Sequence, residues 1–251
     1  MQFNVEWLKK WVAIDLEPEA LADRLTASGL EVDDIRGVAG EFSDVVVAEI
    51  EDCQPHPNAD KLSLCSVNDG SEERLQIVCG APNARPGIRV PLARVGAKIG
   101  PDFKIKRAKL RGVESVGMSC SAKELGLSDD HSGLMELPAD APLGTGLQDY
   151  LSLDDTVIEV DLTPNRADCL SIKGLARDIS ASCETEYTPE PIEQVAASND
   201  SRFPIRLESP EDCPRYAGRV IRGIDPNAKT PLWMAETLRR CGLRSISPTV
   251  D

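Results

Sequence analysis

Hydrophobic positions change period twice along this chain. VEWLKKWV sets Trp7, Leu8 and Trp11 on one helical face. LEPEALADRLTASGL carries Pro18 near its first turn and Gly29 past its end, the start and stop signals of a second helix. Leu30, Val32 and Ile35 then predict a short strand. From about Gly40 the period becomes two. Val46, Ala48 and Ile50 alternate with Val47, Glu49 and Glu51; Leu75, Ile77 and Cys79 with Arg74 and Gln76; Ile88, Val90 and Leu92 with Arg89 and Pro91. Each run predicts a half-buried strand. In FKIKRAKLRG the alternation sets Phe103 and Ile105 on an anchoring face and Lys104 and Lys106 on an outer one. Arg107 breaks the pattern as a bulge would, and Lys109 and Arg111 regain the outer face. Several short strands within about 70 residues predict a small barrel or sandwich. GMSCSAKELGL then reads as a tight turn and a short helical segment, and SDDHSGLMELP as a turn and a strand.

After Asp149 the pattern is mixed again. Val157, Glu159 and Asp161 against Ile158, Val160 and Leu162 predict a strand. TPNRADCLSIKGLARDIS follows, with a helix from about Cys169, its entry a turn in which Arg166 and Asp168 pair and cap the helix. Residues 184–201 are rich in Glu, Pro, Ser and Asn and predict a linker. FPIRLES and RYAGRVIRGI read as strands. KTPLWMAETLRRCGL reads as a helix capped by Thr230, with Pro231 first and Gly242 after its end, and with Arg239, Arg240 and Arg244 at a solvated terminus. The chain stops at SPTVD in mid-element, which reads as a cut and not a natural end.

Two loops stand between the alternating strands: HPNADKL, His56–Leu62, and CGAPN, Cys79–Asn83. His56 precedes a proline and so favours an extended entry. Asn58 and Asp60 suit tight turns, Gly80 frees the backbone, and Pro82 stiffens the turn before Asn83. Cys53-x-x-His56 has metal-ligand spacing, but no second pair answers it, so no metal site is expected.

Composition narrows the function. No apolar run reaches membrane-spanning length, and MQFNVEWLKKWV lacks a signal-peptide core, so the expectation is a cytoplasmic protein without a membrane partner. The eight cysteines form no CxxC pair and suggest buried thiols. A net charge of −14 argues against a general DNA or RNA binder. The charge is uneven, however. Between Asp44 and Arg111 eleven bases face nine acids, giving +2 and leaving −16 for the remainder. A basic island in an acidic chain suits a local RNA contact, and equally a solvated strand face.

With these residues in view the chain resembles the N-terminal third of the bacterial phenylalanyl-tRNA synthetase β-subunit family. HPNADKL, CGAPN, FKIKRAKLRG and GMSCS are similar to the tRNA-binding barrel that this family shares with free-standing tRNA-binding proteins. TPNRADCLSIKGLARD and CPRYAGRVIRGI…TPLWMAETLRRCGLRSI resemble the β subunit more narrowly. The resemblance implies an α+β multidomain chain: an oligonucleotide-binding (OB) fold barrel at 39–148, inserted into a small α/β domain made of 1–38 and 149–195, and the start of an α/β editing domain at 201–251. In the family the editing domain hydrolyses mischarged tyrosine from phenylalanine tRNA, and its pocket is completed by residues beyond Asp251. ATP and magnesium are handled in the complete α2β2 enzyme, chiefly by the α subunit. No cofactor and no catalytic residue is therefore expected in this stretch.

The expected tRNA contacts are Lys61, Lys104, Lys106, Lys109 and Arg111, because lysine and arginine clusters bind phosphate, with Asn58 and Asn83 as loop residues that either hold the turns or touch RNA. Phe103 reads as the only aromatic of the barrel strands, so stacking should be minor. The resemblance places Arg244 near the editing pocket. Three readings stay open: part of a heteromeric ligase, a free-standing tRNA-binding module, and a non-catalytic scaffold for subunit interaction.

Overall fold

A computed structural model describes residues 1–251. β1 (Gln2–Asn4), α1 (Val5–Lys9), α2 (Pro18–Ala27) and β2 (Glu31–Gly37) open the chain. β1 and β2 do not pair with each other. Both pair antiparallel with β11 (Thr156–Asp161), which inserts between them from far along the sequence. Phe3 faces Ile158, and Val32 faces Val160. α2 buries Leu21, Ala22 and Leu25 on one face, and α4 (Ile172–Cys183) buries Ile172, Leu175, Ala176 and Ile179. All of these side chains but Ala22 close over Phe3, Leu8, Ile158 and Val160 as one core. β1 lay beyond the sequence reading, since three residues are too few to display a period. The entry to α4 also differs from expectation. Pro164–Cys169 forms a 3₁₀ turn, and Ser171 caps the helix by accepting from the Gly174 N–H at 3.1 Å. Arg166 binds Asp178 at 2.6 Å and approaches Asp168 only to 3.4 Å.

A second sheet is built from β3 (Phe42–Pro55), β4 (Ser63–Asn68), β5 (Leu75–Cys79), β6 (Arg89–Ile99), β7 (Phe103–Lys104) and β10 (Met118–Ser119). Its order is β10-β6-β3-β4-β5, with β7 on a further part of β6. β3 is buried on both faces as far as Ile50. Val46, Ala48 and Ile50 join Val67, Ile77, Val90 and Leu92, whereas Phe42, Val45 and Val47 join Leu125, Leu147 and Leu151 on the other side. The expected outward Val47 is thus wrong, because residues 120–153 fold over that face. Phe42 is also a second aromatic in these strands, but a buried one.

The ladder does not close into a barrel. Its ends, β5 and β10, share no paired register. Instead single bonds cross the seam: Val116 N–H to Gln76 O at 2.9 Å, Gln76 Nε2 to Glu114 O at 2.7 Å, and Val78 N–H to Ser115 Oγ at 3.1 Å. The 122–138 stretch forms turns, with neither the short helix nor the strand expected there; one isolated bridge joins Leu137 to Arg89.

FKIKRAKLRG is not one bulged strand. β7 ends at Lys104, and β8 (Ala108–Leu110) pairs instead with β9 (Val113–Ser115) in a separate hairpin. Arg111 and Gly112 make its two-residue turn, with φ of +49° and +95°. Positive φ at both central positions is the type I′ geometry that matches strand twist. Arg111 therefore sits at a hairpin tip and not on a strand face. Ile105 is buried, but Phe103 is 55% exposed and anchors nothing.

After residues 186–188, which bond back to 11–13, the chain runs to 231 without regular structure. The strands expected at FPIRLES and RYAGRVIRGI do not form. Arg222 Nε in the second stretch donates to Ser201 Oγ, just ahead of the first, at 2.8 Å, yet no ladder joins the two, and a strand without a paired neighbour leaves its backbone unsatisfied. α5 (Leu232–Arg240) follows. Thr230 does not cap it; its hydroxyl bonds Asp251 instead. Arg240 is not solvated either. It is buried and reaches Asp155 at 3.1 Å and the carbonyl oxygens of Leu151 and Ser152. No helix is long and apolar enough to cross a membrane.

A candidate nucleic-acid interface

Ion pairing divides the basic island. Arg74 pairs with Glu51, Arg85 with Glu136, Arg89 with Glu49, Arg94 with Asp69, and Arg107 with Glu114. Lys61, Lys98, Lys104, Lys106, Lys109 and Arg111 have no acidic partner, and all six are exposed. Five of these six are the cations singled out by sequence. The sixth, Lys98, was missed. It stands directly opposite Lys104 in the β6–β7 register, a hairpin turning through residues 100–102 that alternation within each run did not display.

Lys104 and Lys106 line a cleft of about 830 Å³ between the CGAPN loop, residues 102–110 and residues 115–119. Phe103 lines the same cleft, with Asp102, Glu124 and His131 as its other titratable side chains besides Cys79. Lys61, Lys109 and Arg111 lie outside its walls. They are brought together by the HPNADKL loop, which grips the hairpin tip. Asn58 Nδ2 donates to Arg111 O at 3.0 Å, and His56 Nε2 meets Leu110 O at 3.2 Å. Asn58 N–H donates to His56 Nδ1 at 3.1 Å. A carbonyl only accepts and an amide N–H only donates, so these partners have His56 donate from Nε2 and accept at Nδ1. Its ring and the Cys53 sulfur engage different partners, as Cys53 faces Cys65 at 3.3 Å.

Asn83 does comparable work across the cleft. Its Oδ1 accepts from Leu134 N–H at 2.8 Å, while Nδ2 donates to Leu134 O at 3.0 Å and Glu136 at 3.2 Å. The side chain acts as one rung of a ladder holding CGAPN to residues 134–136. Arg85 adds a bidentate pair to Glu136 at 2.8 and 3.0 Å, and this guanidinium holds the Glu136 carboxyl down at about 2. The amide groups of Asn58 and Asn83 are thus already engaged. Arg244 follows α5, exposed and without a bonded partner, and does not line the cleft.

All eight cysteines are free thiols. Burial holds Cys120 up at about 12. Cys79 is held below the usual thiol range by the neighbouring Cys65 and by Ala81 N–H, which donates to its sulfur at 3.4 Å. Nowhere do three His, Cys, Asp or Glu side chains gather as metal ligands.

Residues 45–146 match the family model described as "Putative tRNA binding domain", and residues 212–251 match one described as "B3/4 domain". Over all 251 residues the chain is 55% identical to a phenylalanine–tRNA ligase beta subunit from Pectobacterium atrosepticum and to another from Dickeya dadantii, covering 32% of each. It is 53% identical to that from Hahella chejuensis, again covering 32%. The chain matches the N-terminal part of these proteins and spans about a third of the length of the curated relatives.

Proposed function

We propose that this chain serves as the N-terminal part of a phenylalanine–tRNA ligase beta subunit and that its basic face holds tRNA by phosphate contact. The full-length identity to such subunits supports the first half. The observation that carries the second is the partition of the basic island. Its arginines at 74, 85, 89, 94 and 107 are bound to acids, whereas Lys61, Lys98, Lys104, Lys106, Lys109 and Arg111 are left for a partner. Free, exposed cations without base-reading geometry suit a phosphate backbone. Phe103 offers one stacking face, too few for a single-strand platform.

In this reading residues 39–148 form an OB-type tRNA-binding domain. Residues 1–38 and 149–195 form the α/β domain around it, and 201–251 begin an editing domain to which Arg244 belongs. The shared core of β1, β2, β11, α2 and α4 supports the two-segment domain. The partners are phenylalanine tRNA and an α subunit, in an α2β2 ligase of the cytoplasm. ATP and magnesium belong to the assembled enzyme. This stretch has no glycine-rich phosphate loop and no three-ligand cluster that would suit either, so no reaction step is assigned to its residues.

The test is a salt titration of phenylalanine tRNA binding by the wild-type chain and by the variant carrying K104S, K106S, K109S and R111S. On a duplex each phosphate contact contributes a slope of about −0.9 in log affinity against log salt. The variant should bind more weakly and with a flatter slope. An unchanged slope would reassign the face to packing against another subunit.

A further inference from the structure

Three cysteines that the proposed RNA face does not use lie on neighbouring strands: Cys53 on β3, packed against the core of that sheet, and Cys65 on β4 and Cys79 on β5, both inside it. Cys53 and Cys65 are direct cross-strand partners, and their sulfurs are 3.3 Å apart. His56 N–H bonds Leu62 O, which makes that pair a hydrogen-bonded one. Counting back three residues along the register makes Cys53 and Cys65 a non-hydrogen-bonded pair. Such pairs have Cα atoms about 4.5 Å apart and their side chains closest, inside the span a disulfide bridges, roughly 4.4–6.8 Å. The sulfurs need only close from 3.3 Å to the roughly 2.05 Å of the bond.

We propose that Cys53 and Cys65 are a reversible oxidation site, forming a cross-strand disulfide at the root of the His56–Leu62 loop. The two thiols differ in access. Cys53 is half-buried, so it meets the oxidant; Cys65 is fully buried, so it resolves the product. With hydrogen peroxide as oxidant, the Cys53 thiolate attacks one peroxide oxygen. The O–O bond breaks, and the sulfenic acid forms with release of hydroxide. The Cys65 sulfur then attacks the Cys53 sulfur, breaking the S–O bond. The departing hydroxide leaves as water with the Cys65 proton, and the first hydroxide takes up the proton that Cys53 gave up. Two thiols lose two electrons and two protons, and one peroxide becomes two waters. A thiol reductant returns the pair by exchange. Cys79 is a competing nucleophile, because it sits on the neighbouring strand and is held below the ordinary thiol range. Cys53, however, is the one that directly opposes Cys65 in the register, with the two sulfurs 3.3 Å apart.

The consequence is local. Cys53 and Cys65 flank the loop in which Asn58 and His56 grip the β8–β9 hairpin. A bond between them ties that loop to a fixed base, whatever the basic face binds.

The experiment titrates the whole chain with hydrogen peroxide, blocks remaining thiols under denaturing conditions, and maps non-reduced peptides by mass spectrometry. The expected result is a Cys53–Cys65 linked peptide, 2 Da lighter than its reduced parts, that disappears on reduction. C53S should abolish it and C213S should not. C65A should also abolish it, and if that core variant fails to fold, C53S alone carries the test. Slower amide exchange at residues 56–62 of the oxidised chain should accompany the linkage. Both thiols remaining alkylatable at peroxide doses that oxidise Cys213, or a Cys65–Cys79 linkage in place of the expected one, would overturn the proposal.

Discussion

Lys98 and Lys104 face each other across the β6–β7 pair, and no carboxylate binds either. Like charges directly opposite in an antiparallel pair repel. A phosphate between them would convert that repulsion into attraction. Lys98→Ser should therefore raise the thermal midpoint of the free chain slightly while weakening tRNA binding. It should also flatten the salt slope by about 0.9, one phosphate's worth. A midpoint that rises while the slope stays fixed would remove Lys98 from the interface.

The Glu136–Arg85 pair gives a pH-dependent contribution with a defined sign. The carboxyl lies near 2 in the folded chain against an ordinary 4.5. The contribution is therefore complete above pH 4.5 and is lost as pH falls through about 2. In Arg85→Ala, carboxyl NMR should show Glu136 titrating back toward 4.5, and the acid limb of unfolding should begin at higher pH. Arg85 is half-exposed, so high salt should shrink the difference.

Gly174 lies inside α4, where helix propensity alone favours alanine by up to about 1 kcal/mol. A Cβ there would come within 1.7 Å of the Asp168 carbonyl oxygen. Gly174→Ala should therefore destabilise, by about 1–3 kcal/mol or more on the scale of overpacked cores, in urea unfolding. A stabilised variant would mean that the 3₁₀ turn is free to move.

The Asp155 side chain is shielded from solvent, although its backbone is partly exposed. It accepts from Asn4 Nδ2 at 2.6 Å, Glu6 N–H at 3.1 Å and Arg240 at 3.1 Å. Asp155→Ala leaves the buried Arg240 cation with Glu236 alone, at 3.5 Å, and should cost up to about 3–5 kcal/mol in chemical denaturation. Adding Arg240→Met removes that charge and should recover a substantial part of the loss. No recovery would assign the cost to the Asn4 and Glu6 bonds instead.

The sequence displayed what local spacing controls. The boundaries of α2, the presence of a helix at α4, the strand runs of β3, β5 and β6, and the two loops at strand ends all follow from period and turn chemistry. It did not display what register and distant packing control. Alternation through FKIKRAKLRG hid a type I′ turn, because Arg-Gly is a weaker turn signal than Asn-Gly. Val47 reads as outward until residues 120–153 cover it. Asp155 and Arg240 lie 85 positions apart, and neither carries a local mark of pairing. The island's free cations could be named individually, but separating them from the bound arginines, and adding Lys98, required partners brought in from Glu49, Glu51, Asp69, Glu114 and Glu136.

The long irregular stretch from 189 to 231 is fastened at both ends. Residues 186–188 bond to Trp11 and Ala13, while α5 is held by Arg240 in the Asp155 site and by Leu232 against the larger core. Covalent continuity through the stretch is then dispensable for keeping α5 in place. A protease that nicks the chain between 190 and 228 should yield two pieces that co-elute on gel filtration and part only in denaturant. The helix would thus behave as a docked peptide that happens to be supplied on its own leash.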